Sequence, residues 1–242
     1  MILAPPARFD GQLAVLTGVA HRGQVGEVVA RALGERGATL ALLDRNAAEA
    51  EARANELRAD GIAATAYPCD LTDHQALGAI ATTLSRHYLA GVASLVSLAG
   101  GFGAPGPVAD SDPAAWDRML AINLATAYAT TRAFLPALRA ARGSIVYFAS
   151  AAVAPGGSVR GLSAYGAAKA GVVALMHAVA AEERANGVRA NAIAPTSIRT
   201  DANLAAMGGD VAYVERETVA EWVTFLCSPA SGPVSGQLIK LG

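Results

Sequence analysis

Tyr165 and Lys169 are the only large polar side chains in the segment SAYGAAKAG, residues 163–171. In a helix this spacing places them one turn apart on one face. A free phenol has a pKa of about 10, and a neighbouring ammonium would lower it by about 2–3. Such a phenol exchanges a proton with an alcohol or carbonyl oxygen. In the alternative reading, Tyr165 only packs and the Lys169 stem lies along apolar surface.

A serine stands at the end of a run that is typical of a buried strand. The run GSIVYFAS, residues 143–150, ends in Ser150, whose hydroxyl can hydrogen-bond the same substrate oxygen as Tyr165. Enzymes that use nicotinamide cofactors let the cofactor carry the hydride while the protein handles the proton. The three side chains therefore predict hydride transfer between a nicotinamide cofactor and a small alcohol or ketone.

A glycine-rich loop links an apolar strand to a helical segment in LAVLTGVAHRGQVGEVVARAL. Gly18, Gly23 and Gly26 allow the backbone to approach a pyrophosphate, and the helix N-terminus offers N–H donors. Asp44 ends the next strand, where a carboxylate can accept both ribose hydroxyls of an adenosine. In the alternative reading, the glycines only make a tight turn.

The type of nicotinamide cofactor depends on Asp44 and two arginines. An ionised Asp44 accepts from the ribose of NAD and repels the 2′-phosphate of NADP. Arg22, in the loop, and Arg45, after Asp44, are the residues able to clamp a phosphate. Arg45 should point away from Asp44 if the strand alternation continues. We therefore expect NAD, with NADP as the alternative.

The composition excludes several other classes of protein. Of 242 residues, 53% are hydrophobic and 16% charged, and the net charge of −1 gives no support for nucleic-acid or membrane partners. Apolar runs end well short of the length of a membrane span, and the start MILAPPARFDG does not resemble a signal peptide. The lone Cys69 and Cys227 favour free thiols in the cytoplasm. No cluster of cysteines and histidines has metal-site spacing.

Apolar strand-like runs alternate with helical patterns along the whole chain. Because the central runs lack polar alternation, we expect helices on both faces of the sheet. This order predicts one α/β domain over residues 1–242, with a Rossmann-type, doubly wound parallel sheet of about seven strands. The strand-like runs are residues 13–17, 39–44, 63–70, 92–100, 143–150, 189–195 and 236–241.

With these motifs the sequence resembles the short-chain dehydrogenase/reductase family over nearly its whole length. YGAAK resembles the family's Tyr-x-x-x-Lys motif, FAS its substrate serine, and INLATAY supplies Asn123 as a fourth catalytic member. The resemblance implies that Tyr165 is the acid/base and that Lys169 lowers its pKa and holds the nicotinamide ribose. It also implies that Ser150 orients the substrate and that Asn123 holds a relay water.

The same resemblance extends the cofactor site. CDLTD places Asp70 at the adenine, SLAG contributes Ala99 and Gly100, and NAIAPTSIRT places Thr200 near the nicotinamide amide. The remaining cofactor positions are Gly18, Arg22, Gly23, Gly26, Asp44, Tyr165 and Lys169. The glycine loop is two residues longer than the family pattern, and His21 and Arg22 lie in the expansion.

The family resemblance also predicts a homodimer or homotetramer that acts on a small molecule. The small side chains of Ala167, Ala170, Ala174 and Ala178 would allow two helices to approach closely across a dimer axis. One alternative is a nucleotide-sensing protein that kept the fold and lost the chemistry. A second is a sugar-nucleotide epimerase or dehydratase, which would need an additional C-terminal region.

Asn123 lies within a predicted helix from Asp112 to about Arg139. We expect a local kink there, because an asparagine side chain competes for backbone hydrogen bonds.

Overall fold

The computed structural model of the protein describes residues 7–242. The first six residues lie outside it. The first six residues of MILAPPARFDG, the segment that does not resemble a signal peptide, therefore lie outside the described residues. So does the start of the domain predicted over residues 1–242.

Seven strands alternate with eight helices in the described part of the chain. The strands are β1 Leu13–Thr17, β2 Thr39–Asp44, β3 Ala64–Pro68, β4 Val92–Ser97, β5 Ser144–Phe148, β6 Arg189–Pro195 and β7 Leu238–Leu241. The helices are α1 Val25–Glu35, α2 Ala47–Ala59, α3 His74–His87, α4 Pro113–Leu120, α5 Thr126–Ala141, α6 Ser163–Glu182, α7 Asp201–Met207 and α8 Arg216–Cys227.

All seven strands form one parallel sheet in the order β3-β2-β1-β4-β5-β6-β7. The chain moves outward from β1 to β3 and then returns to pair β4 with the other side of β1. This reversal is the switch point at which open parallel sheets form a ligand crevice beyond the strand ends. The fold expected from the sequence is confirmed.

Helices cover both faces of the sheet, and successive strand residues point to opposite faces. Leu13 and Val15 pack in a buried cluster with side chains of α3, α5 and α6. Ala14 and Leu16 pack in a second cluster with side chains of α1, α2 and α8. Because both faces are buried, the central strands carry continuous apolar runs without polar alternation.

The helix predicted from Asp112 to Arg139 is not continuous. A π-helical turn, Ala121–Ala125, separates α4 from α5 and contains the buried Asn123. π-bulges of this kind often occur at functional sites. The expected break in α-helical geometry at Asn123 is therefore confirmed.

Several strands are shorter than the apolar runs that predicted them. β3, β4 and β5 end at Pro68, Ser97 and Phe148, before the last residues of those runs. Asp70, Gly100 and Ser150 therefore lie in the loops just beyond the carboxyl ends of the strands. The sequence pattern placed the right residues at this edge of the sheet but extended the strands too far.

Helix α6 is apolar and 20 residues long. Among the described residues it is the one helix long and apolar enough to cross a membrane by these criteria. Lys169 and His177 interrupt its apolar residues, so the apolar runs within α6 are short, as predicted. α6 packs against α4, β5 and β6 as a core helix of the fold.

Candidate active site

A cleft of about 1150 Å³ lies at the carboxyl ends of the strands. It is larger than most small-ligand pockets, which have volumes of about 300–1000 Å³. The glycine loop and α2 form one end, and the loop after β5, α6 and α7 form the other. The predicted site residues that line it are Gly18, Arg22, Gly26, Gly100, Ser150, Tyr165, Lys169 and Thr200.

Tyr165 lies in the first turn of α6 and faces the cleft. Its ring meets the Phe102 ring edge to face, with the centroids 5.1 Å apart. Burial raises the pKa of Tyr165, and a hydrogen bond with Ser150 partly offsets that increase. In this structure burial of the phenol is the larger effect, and Ser150, not the expected Lys169, is the group that opposes it.

Lys169 lies one helical turn after Tyr165 and is buried. Its Nζ donates to the carbonyl oxygen of Phe148 at 2.8 Å and lies 5.8 Å from the Tyr165 ring centroid. Burial lowers the pKa of Lys169 to about 8. The ammonium is therefore placed beside the phenol but is anchored to the end of β5.

Ser150 begins the loop that follows β5. Its Oγ accepts from the N–H of Ala152 at 3.2 Å and so caps a short 3-10 turn, Ala151–Val153. Ser150 also lines the cleft with Tyr165 and lowers the pKa of the phenol. A strand end and a helix start thus bring together the two hydroxyls that the sequence predicted to share a substrate oxygen.

Asn123 is buried beneath the cleft and does not line it. Its Nδ2 donates to the carbonyl oxygens of Gly101 at 3.0 Å and Met119 at 3.1 Å, and its Oδ1 accepts from the N–H of Gly101 at 3.2 Å. These bonds engage the side-chain amide with the backbone of the loop after β4. They give no support to the expected role of holding a relay water.

Gly100 fills the narrow space between Asn123 and Lys169. A Cβ on Gly100 would lie 2.5 Å from the Asn123 Oδ1 and 3.4 Å from the Lys169 Nζ. The preceding residue, Ala99, donates its N–H to Thr17 Oγ1 at 3.1 Å and does not line the cleft. The loop after β4 thus forms the floor between the π-helical turn and α6.

The glycine loop needs two of its glycines for backbone packing. A Cβ on Gly18, whose φ is +68°, would lie 2.7 Å from the Ala99 Cα, and one on Gly26 would lie 2.8 Å from the Val19 Cα. These two glycines therefore have a structural role in the turn, as the alternative interpretation of the glycine loop expects. The loop nevertheless leads into α1, whose N-cap Gln24 makes no side-chain capping bond, so the helix N-terminus opens to the cleft.

Gly23 does not line the cleft, although the sequence assigned it to the cofactor. Its carbonyl oxygen accepts from the N–H of Asp201, the first residue of α7, at 3.2 Å. A Cβ on Gly23 would collide with the Asp201 carboxylate. Gly23 therefore joins the glycine loop to the helix on the opposite side of the cleft.

The two residues that lengthen the glycine loop reach across to α2. His21 Nδ1 lies 2.6 Å from Glu49 Oε2, and Arg22 Nη2 lies 2.7 Å from Glu56 Oε1. Glu56 also pairs with the buried Arg53. Arg22 is therefore engaged by a carboxylate at this end of the cleft.

Asp44 and Asp70, which the sequence assigned to the cofactor, do not line the cleft. Asp44 is 8% exposed and does not line the cleft. Its Oδ2 accepts from the N–H of Ala20 at 3.2 Å, and its Oδ1 accepts from the N–H of Asn46 at 3.1 Å. Asp70 also lies outside the lining, and it accepts from the N–H and hydroxyl of Thr72. Asp44 therefore holds the glycine loop in place.

Thr200 lines the other side of the cleft as the N-cap of α7. Its Oγ1 accepts from the N–H of Asn203 at 3.2 Å. Only eight residues separate Met207, where α7 ends, from Arg216, where α8 begins. The segment between α7 and α8 is therefore short, and α7 is the one helix between the Thr200 cap and α8.

Three charged residues that line the cleft were not predicted from the sequence: Glu49, Arg53 and Glu56. They lie on one face of α2, at spacings of four and three residues. Their spacing was visible in the sequence and indicates one helix face. Which part of the molecule that face contacts depends on the path of the lengthened glycine loop.

Comparison with known proteins assigns this architecture to a large group. A family model described as enoyl-(acyl carrier protein) reductase matches residues 18–241. A short-chain type dehydrogenase/reductase of Sinorhizobium fredii is 32% identical, with 96% of each chain covered. Galactitol 2-dehydrogenase of Rhizobium johnstonii is also 32% identical, with 97% of this chain and 95% of that protein covered.

Solved structures give the same result. The crystal structure of an NAD⁺-bound xylitol dehydrogenase superimposes with a TM-score of 0.86 at 25% identity. The match covers 96% of this chain and 98% of that one.

Proposed function

Because the chain belongs to the short-chain dehydrogenase/reductase family of NAD(P)-dependent enzymes, we propose that it transfers a hydride between a nicotinamide cofactor and a small alcohol or ketone. The observation that carries the proposal is the meeting of Ser150, Tyr165 and Lys169 in the same cleft as the glycine loop. A phenol hydrogen-bonded to a serine hydroxyl is suited to exchange a proton with a substrate oxygen.

Each polar residue of this cluster has a distinct role in the proposal. Tyr165 is the general acid or base, and Ser150 orients the substrate oxygen and lowers the phenol's pKa. Lys169 places a cation behind the phenol and holds the nicotinamide ribose. Asn123 is a positioning residue, because its amide fixes Gly101 and the loop next to Lys169.

The residues present fit a dinucleotide. The uncapped N-terminus of α1 offers N–H donors to a pyrophosphate, and Gly18 and Gly26 keep the loop close to the sheet. Gly100, Lys169 and Thr200 would lie along the nicotinamide half. Bound there, the nicotinamide would supply the hydride acceptor or donor, and the chain would handle the proton.

We prefer NAD to NADP, on different residues from those the sequence suggested. Glu49 and Glu56 line the glycine-loop end of the cleft, and Glu56 already engages both Arg22 and Arg53. A 2′-phosphate at this end would meet two carboxylates and find Arg22 paired. Ribose hydroxyls would instead find acceptor oxygens.

The cofactor preference is tested by comparing kcat/KM for NAD and NADP in the wild type and in Glu56→Gln. Neutralising Glu56 releases Arg22, so the ratio of NAD to NADP efficiency should fall by about tenfold. Glu51→Gln is the matched control, because Glu51 lies on the same helix, pairs with Arg58 and does not line the cleft. A wild type that prefers NADP contradicts the assignment.

The reaction itself is tested with a panel of alcohols and ketones, followed at 340 nm with each cofactor. Turnover that is lost in Tyr165→Phe, with cofactor affinity retained, supports the proposal. Cofactor binding by the wild type without turnover of any compound would instead favour the silent nucleotide-binding protein.

We further propose that residues 1–242 form one domain and that the enzyme works in the cytoplasm as a homodimer or homotetramer. Cys69 and Cys227 are buried free thiols, as expected in a reducing compartment. The small side chains of Ala167, Ala170, Ala174 and Ala178 are exposed along α6, where a second copy can pack closely. Light scattering of the wild type and of Ala174→Arg tests the assembly.

A further inference from the structure

Charge is distributed unequally along the cleft. At the glycine-loop end, His21, Arg22, Glu49, Arg53 and Glu56 all line the wall. At the other end, the described lining residues include one charged side chain, Lys169, which is buried and bonded to the Phe148 carbonyl. A substrate carboxylate, sulfonate or phosphate would therefore find no free cation among these residues.

Most hydroxyl and amide groups at the substrate end are already engaged with the protein. Asn203 Nδ2 donates to the carbonyl oxygen of Ile198 at 2.8 Å, and the Asn203 N–H donates to Thr200 Oγ1, which lies on the nicotinamide side. Ser197 Oγ contacts the Met207 sulfur at 3.9 Å. In the proposed function, the hydroxyls of Ser150 and Tyr165 bind the reacting oxygen of the substrate. The Thr196 hydroxyl and the Asn203 Oδ1 then remain, which is few side-chain groups for the additional hydroxyls of a polyol.

Apolar side chains form the rest of this end. Phe102 is 69% exposed although it lies beside the reacting phenol, and Met207, at the end of α7, is 43% exposed. Leu162 and Ile198 also line the wall. Exposed apolar surface that lines a cleft beside a reactive group is typical of a ligand site, because bound ligand removes it from water.

From these three observations we propose that the substrate is an uncharged secondary alcohol, or its ketone, with an apolar arm that packs on Phe102 and Met207. This inference rests on the proposed function and specifies its substrate class. It sets this enzyme apart from relatives whose names specify polyols, such as galactitol and xylitol dehydrogenases.

The first test compares the wild-type enzyme on 4-phenyl-2-butanol, 4-hydroxypentanoate, galactitol and xylitol, with NAD and with NADP. The expected kcat/KM for 4-phenyl-2-butanol exceeds that of the other three by at least about fiftyfold, the selectivity expected from burying an aryl group of about 100 Å². A higher kcat/KM for a polyol or for the hydroxy acid overturns the inference and leaves the proposed function intact. No turnover of any compound with either cofactor removes the proposed function, and the inference with it.

The second test uses variants of the two apolar side chains. Phe102→Ala and Met207→Ala should each raise the KM for 4-phenyl-2-butanol by about tenfold. Phe102 packs on the Tyr165 ring, whereas Met207 lies on α7, so its variant separates substrate packing from the loss of that ring contact. Val108→Ala is the control, because Val108 is exposed but does not line the cleft. Unchanged KM values in both cleft variants refute the assigned contacts.

A third variant reverses the preference. Met207→Arg places a cation at the substrate end, so it should raise kcat/KM for 4-hydroxypentanoate relative to 4-phenyl-2-butanol by about tenfold or more. An unchanged ratio shows that Met207 does not face the substrate arm.

Discussion

Replacing Lys169 with methionine tests how strongly the fold disfavours the charge on the buried lysine. Burial lowers the pKa of Lys169 from 10.5 to about 8. Each pKa unit corresponds to about 1.4 kcal/mol, so the lowered pKa costs the native state about 3 kcal/mol at pH values below 8. Between pH 8 and 10.5 the unfolded chain holds more protons than the native protein, so wild-type stability rises with pH.

Lys169→Met removes this pH dependence. The free energy of unfolding of the variant minus that of the wild type should therefore fall by about 2–3 kcal/mol between pH 7 and pH 10. The lost hydrogen bond to the Phe148 carbonyl changes the variant by a similar amount at every pH, so it cancels in this difference. The pH-dependent part of the comparison thus isolates the ionisation of Lys169.

The assay is urea unfolding of the cofactor-free protein at pH 7, 8, 9 and 10. Lys240→Met is the matched control, because Lys240 is the only other lysine and lies exposed on β7. Its difference from the wild type should stay constant over the same range. A constant difference for Lys169→Met as well would show that the lysine is not desolvated in the native protein.

Four further outcomes are expected. Tyr165→Phe should lose at least about 10²-fold in kcat and keep its cofactor affinity, as measured by fluorescence titration. Ser150→Ala removes the bond that lowers the pKa of Tyr165, so the rise of alcohol oxidation with pH should move to higher pH; an unmoved profile contradicts this. Asn123→Ala leaves the Gly101 N–H and two carbonyls without partners, which should cost about 3 kcal/mol of stability in urea unfolding. Asp44→Ala should weaken NAD and NADP binding equally in calorimetric titrations, because Asp44 holds the loop; selective loss of NAD binding would restore direct ribose recognition.

The sheet and most of the cleft were predictable because they follow from local patterns. Continuous apolar runs indicate strands buried on both faces, and the carboxyl ends of parallel strands meet at one edge. Ser150 and Tyr165 could therefore be placed together from sequence alone. Asn123 could be expected to break α-helical geometry, because its amide competes for backbone hydrogen bonds.

The errors share a different origin. Asp44 ends its strand as expected, but its partner is the N–H of Ala20, and that contact depends on the path of a loop two residues longer than the family pattern. The pKa of Tyr165 depends on how deeply the phenol is buried, which is a property of the packed molecule. Residue spacing therefore predicts neither the hydrogen-bond partner of Asp44 nor the burial of the Tyr165 phenol.

The hydrogen bond between the Gly23 carbonyl and the Asp201 N–H connects the two halves of the cleft, so ligand binding in the two halves can be coupled. The glycine loop belongs to the cofactor half, and α7 carries Met207 in the substrate half. If a ligand in one half shifts this contact, the affinity of the other half changes, and thermodynamic linkage makes the effect reciprocal. Bound substrate then changes the dissociation constant of the cofactor by the same factor by which bound cofactor changes that of the substrate.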